Sequence, residues 1–379
     1  MACCNHWTSP FHVGSHELAR QFAALGYEVA FVSDPLTPLH FLPHAGPLVR
    51  ERFRLYRSGG LRAEGGRLRA FVPGALLAPH RSAILRSGIV HRTWQRTTCP
   101  GIIGTIRRAG FGDVDLLYLD SEIQAFWLGA VRHRRSVFRI TDRKEGFRKT
   151  TPAAIAMRAE LAREVDLVVY AGKSMEPAVR SLAPKRMRHL ANGVDYEFFA
   201  GNRDPRPVEY DALDGPIAVY AGALDYWFDF DALDLAAASL PRVAFVLVGG
   251  TGTRPGALRP RANVHYLGPR PFERMPAYLR WADVGVIPND VRRFPELVNH
   301  MNPLKLHQYM ASGLPVVAVR SAEMEALESP AVLYGEPAEF PAALASALGD
   351  RARRGLSQAY ARGQDWSIRA KELLSELEA

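Results

Sequence analysis

A lysine and a glutamine near the start of a predicted helix are well placed to bind an anion. Asn302 and Pro303 are typical of a helix start, with Asn302 as its cap, and Lys305 and Gln308 lie three positions apart on one face of the first turn. A helix N-terminus favours negative charge, and a lysine there adds a point charge. We expect Lys305 to hold a diphosphate and Gln308 to hydrogen-bond a ribose. Alternatively, both side chains lie on a solvated polar face.

A second candidate anion site lies near the amino terminus. The loop 9–20 joins a short first strand to the first helix; Gly14 permits close backbone approach, and Ser15 and His16 sit at the predicted helix start. Free N–H groups there favour a phosphate. The alternative is a structural turn capped by Ser15. Only the seven residues MACCNHW are left for that first strand, so either it is short or the chain begins upstream.

Strands and helices alternate along the chain, which predicts an α/β fold with parallel sheets covered by helices on both faces. The length of 379 residues suggests two domains, and we place them at 1–195 and 210–356, followed by a terminal helix at 357–379. In such sheets, ligands bind at the carboxyl ends of the strands. The predicted strands are 28–33, 114–120, 136–141, 166–172, 216–222, 243–250, 263–268, 284–288 and 315–319, and the predicted helices include 152–164, 275–282 and 303–312.

The positive charge is concentrated in one segment. The chain carries 48 basic and 39 acidic residues, a net charge of +9. The segment 50–108 holds 13 Arg and two acids, so its net charge is 13 − 2 = +11, which exceeds the net charge of the whole chain. Within it, 71–92 mixes arginines with apolar residues, although Pro73 and Pro79 argue against one continuous amphipathic helix. This segment predicts an anionic partner, namely phospholipid, a diphosphate-bearing substrate or nucleic acid, or else it is a solvated insertion.

Cysteine content and hydropathy exclude several classes. Three cysteines, Cys3, Cys4 and Cys99, cannot build a disulfide framework, and no CxxC pair indicates a metal site. No apolar run is long enough to span a bilayer, and the start lacks the features of a signal peptide. We therefore expect a cytoplasmic protein.

A series of motifs resembles the GT-B glycosyltransferases, chiefly in the second half of the chain. They are NGVD at 192–195, FVLVGG at 245–250, NVHYLG at 263–268, MPAYLRWADVGVIP at 275–288 and PLKLHQYMASGLPVV at 303–317. The nearest pattern is the bacterial exopolysaccharide group, similar to the xanthan glucuronosyltransferase and to teichuronic-acid-type transferases. The resemblance implies two Rossmann-like, doubly wound domains facing across a cleft, with the terminal helix returning onto the first. It also implies a nucleotide-sugar substrate, most simply a UDP-sugar, and no further cofactor or metal.

The resemblance also assigns roles to residues of the second domain. Residues Gly222 to Leu224 would lie near the donor nucleotide, and the turn ending at Arg270 would meet the uracil through backbone atoms. Asn289 would lie near the donor. Lys305 would hold the diphosphate and Gln308 the ribose.

The expected catalytic residue lies in the first domain. Retaining members with this pattern have two Glu eight positions apart, but these positions here are His300 and Gln308. Asp142 follows the strand 136–141 and matches the proposed base of the xanthan-type enzymes, so we expect an inverting transfer in which Asp142 takes the acceptor proton. The alternative for Asp142 is a helix cap or an ion pair with a neighbouring arginine. The other candidates are Asp120 and Glu122, with His16 as a further catalytic or donor-contacting residue.

These expectations combine into one function. The protein would transfer a sugar from a UDP-sugar to a polyprenyl-diphosphate-linked or otherwise hydrophobic acceptor, at the inner face of the cytoplasmic membrane, in polysaccharide or glycolipid assembly. The alternatives are a transferase acting on a soluble natural product, a sugar-nucleotide epimerase and a nucleic-acid-binding protein. The basic segment has few aromatic residues for base stacking and no nucleic-acid-binding motif, so we expect no nucleic-acid partner.

Overall fold

A computed structural model describes residues 1–10, 12–41, 46–79, 85–147, 150–250, 259–350 and 352–378. The chain forms two compact units. Unit 1 comprises Met1–Ala171, Met175–Ala191 and Ala370–Ala379, and unit 2 comprises Gly172–Ser174 and Asn192–Arg369. Each unit contains a largely parallel sheet with connecting helices, which confirms the predicted α/β class.

Unit 1 is built on an eight-stranded sheet of order β3-β4-β2-β1-β5-β6-β7-β8. All neighbouring strands are parallel except β3 and β4. The strands are β1 (Ala2–Cys3), β2 (Val29–Ser33), β3 (Leu61–Ala63), β4 (Leu68–Phe71), β5 (Asp113–Leu119), β6 (Arg132–Ile140), β7 (Leu167–Tyr170) and β8 (Met187–His189). The helices are α1 (Gly14–Ala24), α2 (Pro47–Arg57), α3 (Gly88–Thr93), α4 (Ile102–Arg108), α5 (Trp127–Ala130), α6 (Pro152–Glu164) and α7 (Glu176–Ser181).

The core of unit 1 lies on the central strands, which are apolar on both faces as parallel strands require. Leu119, Phe138 and Val168 from β5, β6 and β7 are almost completely buried in one cluster. The bounds of α6 agree with the prediction because local signals define its start. The side chain of Thr151 caps the helix by accepting from the N–H of Ala154, and Pro152 follows the cap.

Unit 2 is built on a six-stranded, fully parallel sheet of order β11-β10-β9-β12-β13-β14. Its strands are β9 (Ile217–Ala221), β10 (Ala244–Val248), β11 (Val264–Gly268), β12 (Val284–Ile287), β13 (Val316–Val319) and β14 (Val332–Tyr334). Its helices are α8 (Tyr196–Ala200), α9 (Phe230–Ser239), α10 (Met275–Arg280), α11 (Pro295–Val298), α12 (Leu304–Ala311), α13 (Ala322–Ala326), α14 (Phe340–Gly349) and α15 (Arg353–Arg362). The segment 196–209, between the two predicted domains, contributes Tyr196 and Phe199 to the core of this unit.

The carboxyl-terminal segment forms two helices rather than the predicted single helix at 357–379. Helix α15 ends at Arg362 with Gly363 as its C-terminal cap, and α16 (Trp366–Glu378) begins after the short break that follows. The break is held within unit 2, since the Asp365 carboxylate accepts from the N–H of Tyr196 at 3.0 Å and the N–H of Trp366 donates to the Val194 carbonyl at 3.0 Å. Helix α15 therefore belongs to unit 2, and only the residues from Ala370 onward belong to unit 1.

Candidate functional site

Lys305 is held at the carboxyl edge of the unit 2 sheet, where α12 begins. Its Nζ donates to the Tyr220 hydroxyl at 2.9 Å and lies 4.4 Å from the centroid of that ring. The side chain is half-buried, and this loss of hydration lowers the pKa of Lys305 to about 8. Lys305 is therefore fixed against β9, and the alternative of a lysine on a solvated face is wrong.

Two glycines bring the ends of β9 and β10 close to that ammonium group. The N–H of Gly222 donates to the Val248 carbonyl at 2.9 Å, and a Cβ added to Gly222 would lie 3.0 Å from Lys305 Nζ. A Cβ on Gly249 would lie only 1.8 Å from the Gly222 carbonyl oxygen. Both glycines have positive φ angles, 153° and 149°, which side-chain-bearing residues rarely adopt. The site thus exposes backbone rather than side chains beside the lysine.

Leu224 and Gln308 differ in how their side chains are placed. Leu224 is 1% exposed and packs in the core, so only its backbone, whose N–H donates to the Gly250 carbonyl at 2.9 Å, lies at this edge. Gln308 is half-buried and lies one turn after Lys305 on the same face of α12.

Asn302 does not cap α12 as predicted. The helix begins at Leu304 with Pro303 at the cap position and no side-chain cap. The side-chain Nδ2 of Asn302 instead donates to Glu323 Oε1 at 2.8 Å. The backbone carbonyl of Asn302 accepts from Asn192 Nδ2 at 2.6 Å. Asn302 therefore anchors the loop in front of Lys305 rather than capping the first turn of the helix.

Glu323, which the sequence analysis did not single out, organises this loop. It is fully buried, and its Oε2 accepts from both the N–H and the hydroxyl of Ser174 at 3.0 Å. Its own N–H donates to the Asn299 carbonyl at 2.9 Å. These partners lie between 21 and 149 positions away along the chain, so no local pattern could have revealed the role.

Asn289 carries an unsatisfied polar atom at the end of β12. The residue is 5% exposed, its amide nitrogen lies 3.8 Å from Met301 Sδ, and its Oδ1 has no hydrogen-bond partner among the described residues. A buried acceptor without a partner costs about 1–3 kcal/mol, so such a group is suited to receive a hydrogen bond from a ligand.

The Arg270 side chain is used within unit 2. Its guanidinium group pairs with Glu209 at 3.1 Å, contacts the Tyr278 hydroxyl at 3.2 Å and also donates to the Leu267 carbonyl. These contacts keep the side chain on structural partners. Only the backbone of the turn after Gly268 is therefore available for the nucleobase contact that the resemblance implies.

In unit 1, His16 is enclosed rather than exposed to a ligand. It is 0% exposed, its Nε2 lies 3.0 Å from the His6 carbonyl, and its Nδ1 accepts from the N–H of Val13 at 3.3 Å. Burial lowers the pKa of His16 to about 4, so the ring is neutral near pH 7. Both ring nitrogens bind backbone groups, and the geometry therefore gives His16 a role in shaping the loop after β1.

The two residues before His16 belong to α1 itself. Helix α1 begins at Gly14, and its cap position is Val13. Ser15 therefore does not cap the helix, so the alternative of a turn capped by Ser15 is wrong. The Ser15 hydroxyl instead donates to the Asp120 carboxylate and lies 3.3 Å from the Tyr118 hydroxyl. The Ser15 hydroxyl is thus already hydrogen-bonded within the protein, which argues against the predicted contact with a phosphate.

Asp142 lies after β6, at the carboxyl edge of the unit 1 sheet. It is half-buried, its Oδ2 accepts from the Thr141 hydroxyl at 2.9 Å, and its backbone carbonyl accepts from Arg158 at 2.7 Å. Helix α6 is capped by Thr151, so Asp142 does not cap it. The Thr141 hydroxyl thus holds one oxygen of the Asp142 carboxylate.

The other candidate carboxylates at this edge are tied to the protein. Asp120 accepts from the Cys4 N–H at 2.8 Å as well as from Ser15, and burial raises its pKa. Glu122 is 3% exposed and pairs with Lys144 at 2.6 Å. These contacts hold loops together and make both residues weaker candidates for a base than Asp142.

Asp34, at the end of β2, is a carboxyl group that the sequence analysis missed. Its Oδ1 accepts from the Ser121 hydroxyl at 2.6 Å and from Gln124 Nε2 at 3.1 Å, and burial raises the pKa of Asp34 to about 7. The signal that drew attention to Asp142, an acid directly after an apolar strand, is also present here. Within the described ranges, no group of three or more His, Cys, Asp or Glu is arranged to hold a metal ion.

Comparisons with known proteins agree with this architecture. Residues 1–171 match the family model of the N-terminal domain of the glucuronosyltransferase GumK, and residues 215–350 match the model of group 1 glycosyl transferases. A Bacillus subtilis protein named as a candidate teichuronic acid biosynthesis glycosyltransferase, TuaH, is 27% identical over 226 residues, which are 56% of this chain and 53% of that protein. The match thus spans about half the length of this curated relative.

Solved structures share the fold over nearly the whole chain. The sucrose-phosphate synthase of Thermosynechococcus elongatus has a TM-score of 0.67 at 15% identity, covering 99% of this chain and 97% of that one. HepE of Anabaena, in complex with UDP and glucose, has a TM-score of 0.66 at 15% identity, covering 100% and 99%. The two Rossmann-like units therefore define a protein of the GT-B class. With both family models matched in chain order, the chain resembles GT-B glycosyltransferases of the exopolysaccharide type.

Proposed function

We propose that this protein transfers a sugar from a UDP-sugar to a lipid-linked or otherwise hydrophobic acceptor in polysaccharide or glycolipid assembly. The observation that carries the donor assignment is the position of Lys305. Its ammonium group is held by Tyr220 beside the glycine-bearing ends of β9 and β10 and at the start of α12. A cation, a helix N-terminus and close backbone approach are the features that a diphosphate requires.

The leaving group determines what Lys305 contributes to the reaction. As the bond between the anomeric carbon and the diphosphate oxygen breaks, negative charge grows on the diphosphate. A lysine and a helix N-terminus aimed at that oxygen would stabilise the charge without a metal ion. The unpaired Oδ1 of Asn289 would accept a hydrogen bond from the donor, and Gln308 would contact the ribose.

Asp142 would act as the general base. It would take the proton of the acceptor hydroxyl as that oxygen bonds to the anomeric carbon, while UDP departs from the opposite face. This single displacement inverts the anomeric configuration. The absence of the two glutamates of retaining relatives, at the positions of His300 and Gln308, supports inversion, as does the position of Asp142 directly after β6.

The acceptor assignment rests on the basic segment 50–108 of unit 1. Large apolar side chains are exposed on its described part, with Leu76 at 70% and Ile89 at 75%, and exposed arginines such as Arg54 and Arg86 accompany them. Residues 80–84, inside the predicted 71–92 segment, lie outside the described residues. No helix of the described part is long and apolar enough to cross a membrane. We propose that this segment rests on anionic lipid at the inner face of the cytoplasmic membrane, where a polyprenyl-diphosphate sugar would be met.

Titration calorimetry with a panel of UDP-, GDP-, dTDP- and ADP-sugars tests the donor assignment. We expect UDP-sugars to bind and Lys305→Met to weaken UDP about 10–100-fold, because a hydrogen bond to a charged group contributes roughly 1.5–3 kcal/mol. Lys371→Met, which removes an exposed lysine, is the matched control and should bind as the parent does. Binding of no nucleotide sugar, or equal binding by Lys305→Met, would contradict the proposal.

A further inference from the structure

Tyr220, on β9, has its ring in the core of unit 2 and its hydroxyl beside the loop that follows the strand. The residue is 0% exposed, and its ring packs edge-on against Phe228 at a centroid distance of 4.7 Å. A Cβ added to Gly222 would lie 3.4 Å from the Tyr220 hydroxyl oxygen. Because the ring is held by the core, the sheet fixes the position of the hydroxyl next to this loop.

The Tyr220 hydroxyl joins two parts of the donor site that we propose. It donates to the Ala223 carbonyl at 2.8 Å and accepts from Lys305 Nζ at 2.9 Å. Ala223 belongs to the loop after β9, whereas Lys305 belongs to α12 and lies 85 positions from Tyr220 along the chain. One buried hydroxyl therefore holds the lysine in a fixed position relative to the loop 222–224.

The proton of this hydroxyl has a fixed direction. A tyrosine hydroxyl has one proton to donate, and the Ala223 carbonyl accepts it. Burial, together with the charge of Asp225, raises the pKa of Tyr220, so the hydroxyl stays protonated near neutral pH. Towards Lys305 the oxygen can then only accept, and a lysine ammonium group can only donate. The hydroxyl is therefore matched to the charged form of Lys305.

Lys305 depends on this hydroxyl because the surrounding protein offers its ammonium group little else. Among the residues that the structure describes, the Tyr220 hydroxyl is the one hydrogen-bond acceptor for Lys305 Nζ, and no carboxylate pairs with it. Burial is the cause that lowers the pKa of Lys305 to about 8. Loss of the hydroxyl would favour the neutral amine further, so the pKa of Lys305 would fall below that value.

We propose that Tyr220 is a positioning residue for donor binding, whose hydroxyl keeps the Lys305 ammonium group directed at the diphosphate and fixed beside the loop 222–224. This inference rests on the proposed function, in which Lys305 binds the diphosphate of a UDP-sugar. Tyr220 is fully buried and acts through Lys305 rather than by touching the donor. The ammonium group keeps two further N–H groups for the diphosphate oxygens.

Calorimetric titration of UDP into Tyr220→Phe tests the proposal, because this change removes the hydroxyl and keeps the ring. We expect the dissociation constant to rise about 3–10-fold near pH 7, since the ammonium group loses the hydrogen bond that positions it. Lys305 should also lose its charge at lower pH in the variant. The ratio of the variant's dissociation constant to the parent's should therefore grow at least about threefold between pH 6.5 and 8.5. The ionisation of UDP is common to both proteins and cancels in this ratio.

Two further variants separate this role from a purely structural one. In the Lys305→Met background, Tyr220→Phe should change the dissociation constant less than about twofold, because the hydroxyl has no ammonium group left to position. Tyr210→Phe is the matched control, since Tyr210 is also 0% exposed and its hydroxyl donates to the Tyr278 carbonyl at 3.0 Å. It should lower the melting temperature by an amount comparable to Tyr220→Phe and leave the pH dependence of UDP binding unchanged.

The other outcomes contradict the proposal in distinct ways. Parental UDP affinity of Tyr220→Phe at both pH values would mean that Lys305 needs no positioning hydroxyl. A loss of affinity that is equal at both pH values and persists in the Lys305→Met background would mean that the hydroxyl supports the loop alone. Parental affinity of Lys305→Met would contradict the donor assignment itself, and with it this role of Tyr220.

Discussion

Lys305 shows how burial prepares a single residue for anion binding. The ammonium group has exchanged water for one hydroxyl and one aromatic ring, and its pKa of about 8 records that exchange. A bound diphosphate would restore the missing electrostatic partner. Burial of the Lys305 ammonium group costs free energy, and the attraction to a diphosphate would offset that cost.

This reasoning predicts a pH dependence of donor binding. Lys305 is charged below its pKa of about 8 and neutral above it, so UDP should bind most tightly below pH 8. Affinity should fall by about tenfold for each pH unit well above that value. Calorimetry between about pH 7.5 and 8.5, where neither the phosphates nor the uracil of UDP changes charge appreciably, measures the effect, and affinity should fall about threefold across this range. Lys305→Arg does not titrate in this range and should bind UDP with nearly constant affinity, whereas a slope shared by both proteins would contradict the prediction.

Asp142 yields a second prediction at the same scale. Asp142→Asn keeps the size of the side chain and removes its basicity, so sugar transfer should fall at least about 100-fold while UDP affinity stays unchanged. UDP release in the presence of a membrane-lipid acceptor fraction measures the rate. Glu164→Gln, an exposed change on the same unit, is the control. Transfer by Asp142→Asn near the parental rate would remove Asp142 from the mechanism.

At the scale of elements, the start of α12 is positioned by another helix. Glu323, in α13, binds Asn302 on one side and Ser174 on the other, so a buried carboxylate joins the loop before Lys305 to the segment 172–174. The carboxylate accepts every one of these hydrogen bonds. Any substitution that introduces a donor, or removes the acceptors, leaves buried groups unpaired.

We predict that Glu323→Gln both destabilises the protein and weakens donor binding. The new amide would face donors, which should lower the free energy of unfolding by about 2–4 kcal/mol and raise the dissociation constant for UDP several-fold. Thermal unfolding and calorimetry give the two values. Glu325→Gln, an exposed residue two positions later that pairs with Arg320, is the matched control and should change neither. Unfolding of Glu323→Gln at the parental temperature would contradict the role.

At the scale of the whole molecule, the net charge of +9 is a property of one segment. The segment 50–108 alone contributes +11, so the remainder sums to 9 − 11 = −2. The donor site that we propose uses Lys305 and a helix terminus of unit 2, whereas the excess charge lies in unit 1. We therefore assign the excess charge to the anionic surface that the segment would contact.

Membrane association should follow from this distribution. The protein should sediment with phosphatidylcholine vesicles only when they contain phosphatidylglycerol, and binding should decline between about 50 and 500 mM salt. Ile89→Ser should weaken binding roughly 3–10-fold because it removes apolar area from the contact. Val208→Ser is the matched control, since Val208 is 76% exposed and Ile89 75%. Equal binding to both vesicle types would contradict a membrane role for the segment.

Local signals were sufficient for much of the fold. The apolar runs of β7 and β9 and the Thr151–Pro152 start of α6 are local features, and the structure has these elements within one or two residues of their predicted bounds. Strand β6 was also predicted, but it begins at Arg132, four residues before the predicted start, because its first half is polar. The same applies to Lys305 at the start of α12, because helix periodicity and a lysine in the first turn are both local features.

Only the tertiary structure decided which polar groups meet. Lys305 binds Tyr220, 85 positions away, Asn302 binds Glu323 instead of capping a helix, and both nitrogens of His16 are taken by backbone. The physical reason is that a buried polar group must find a partner wherever the fold places one. Sequence determines local conformation and which side chains are suited to burial, whereas the identity of each hydrogen-bond partner depends on segments that meet only after folding.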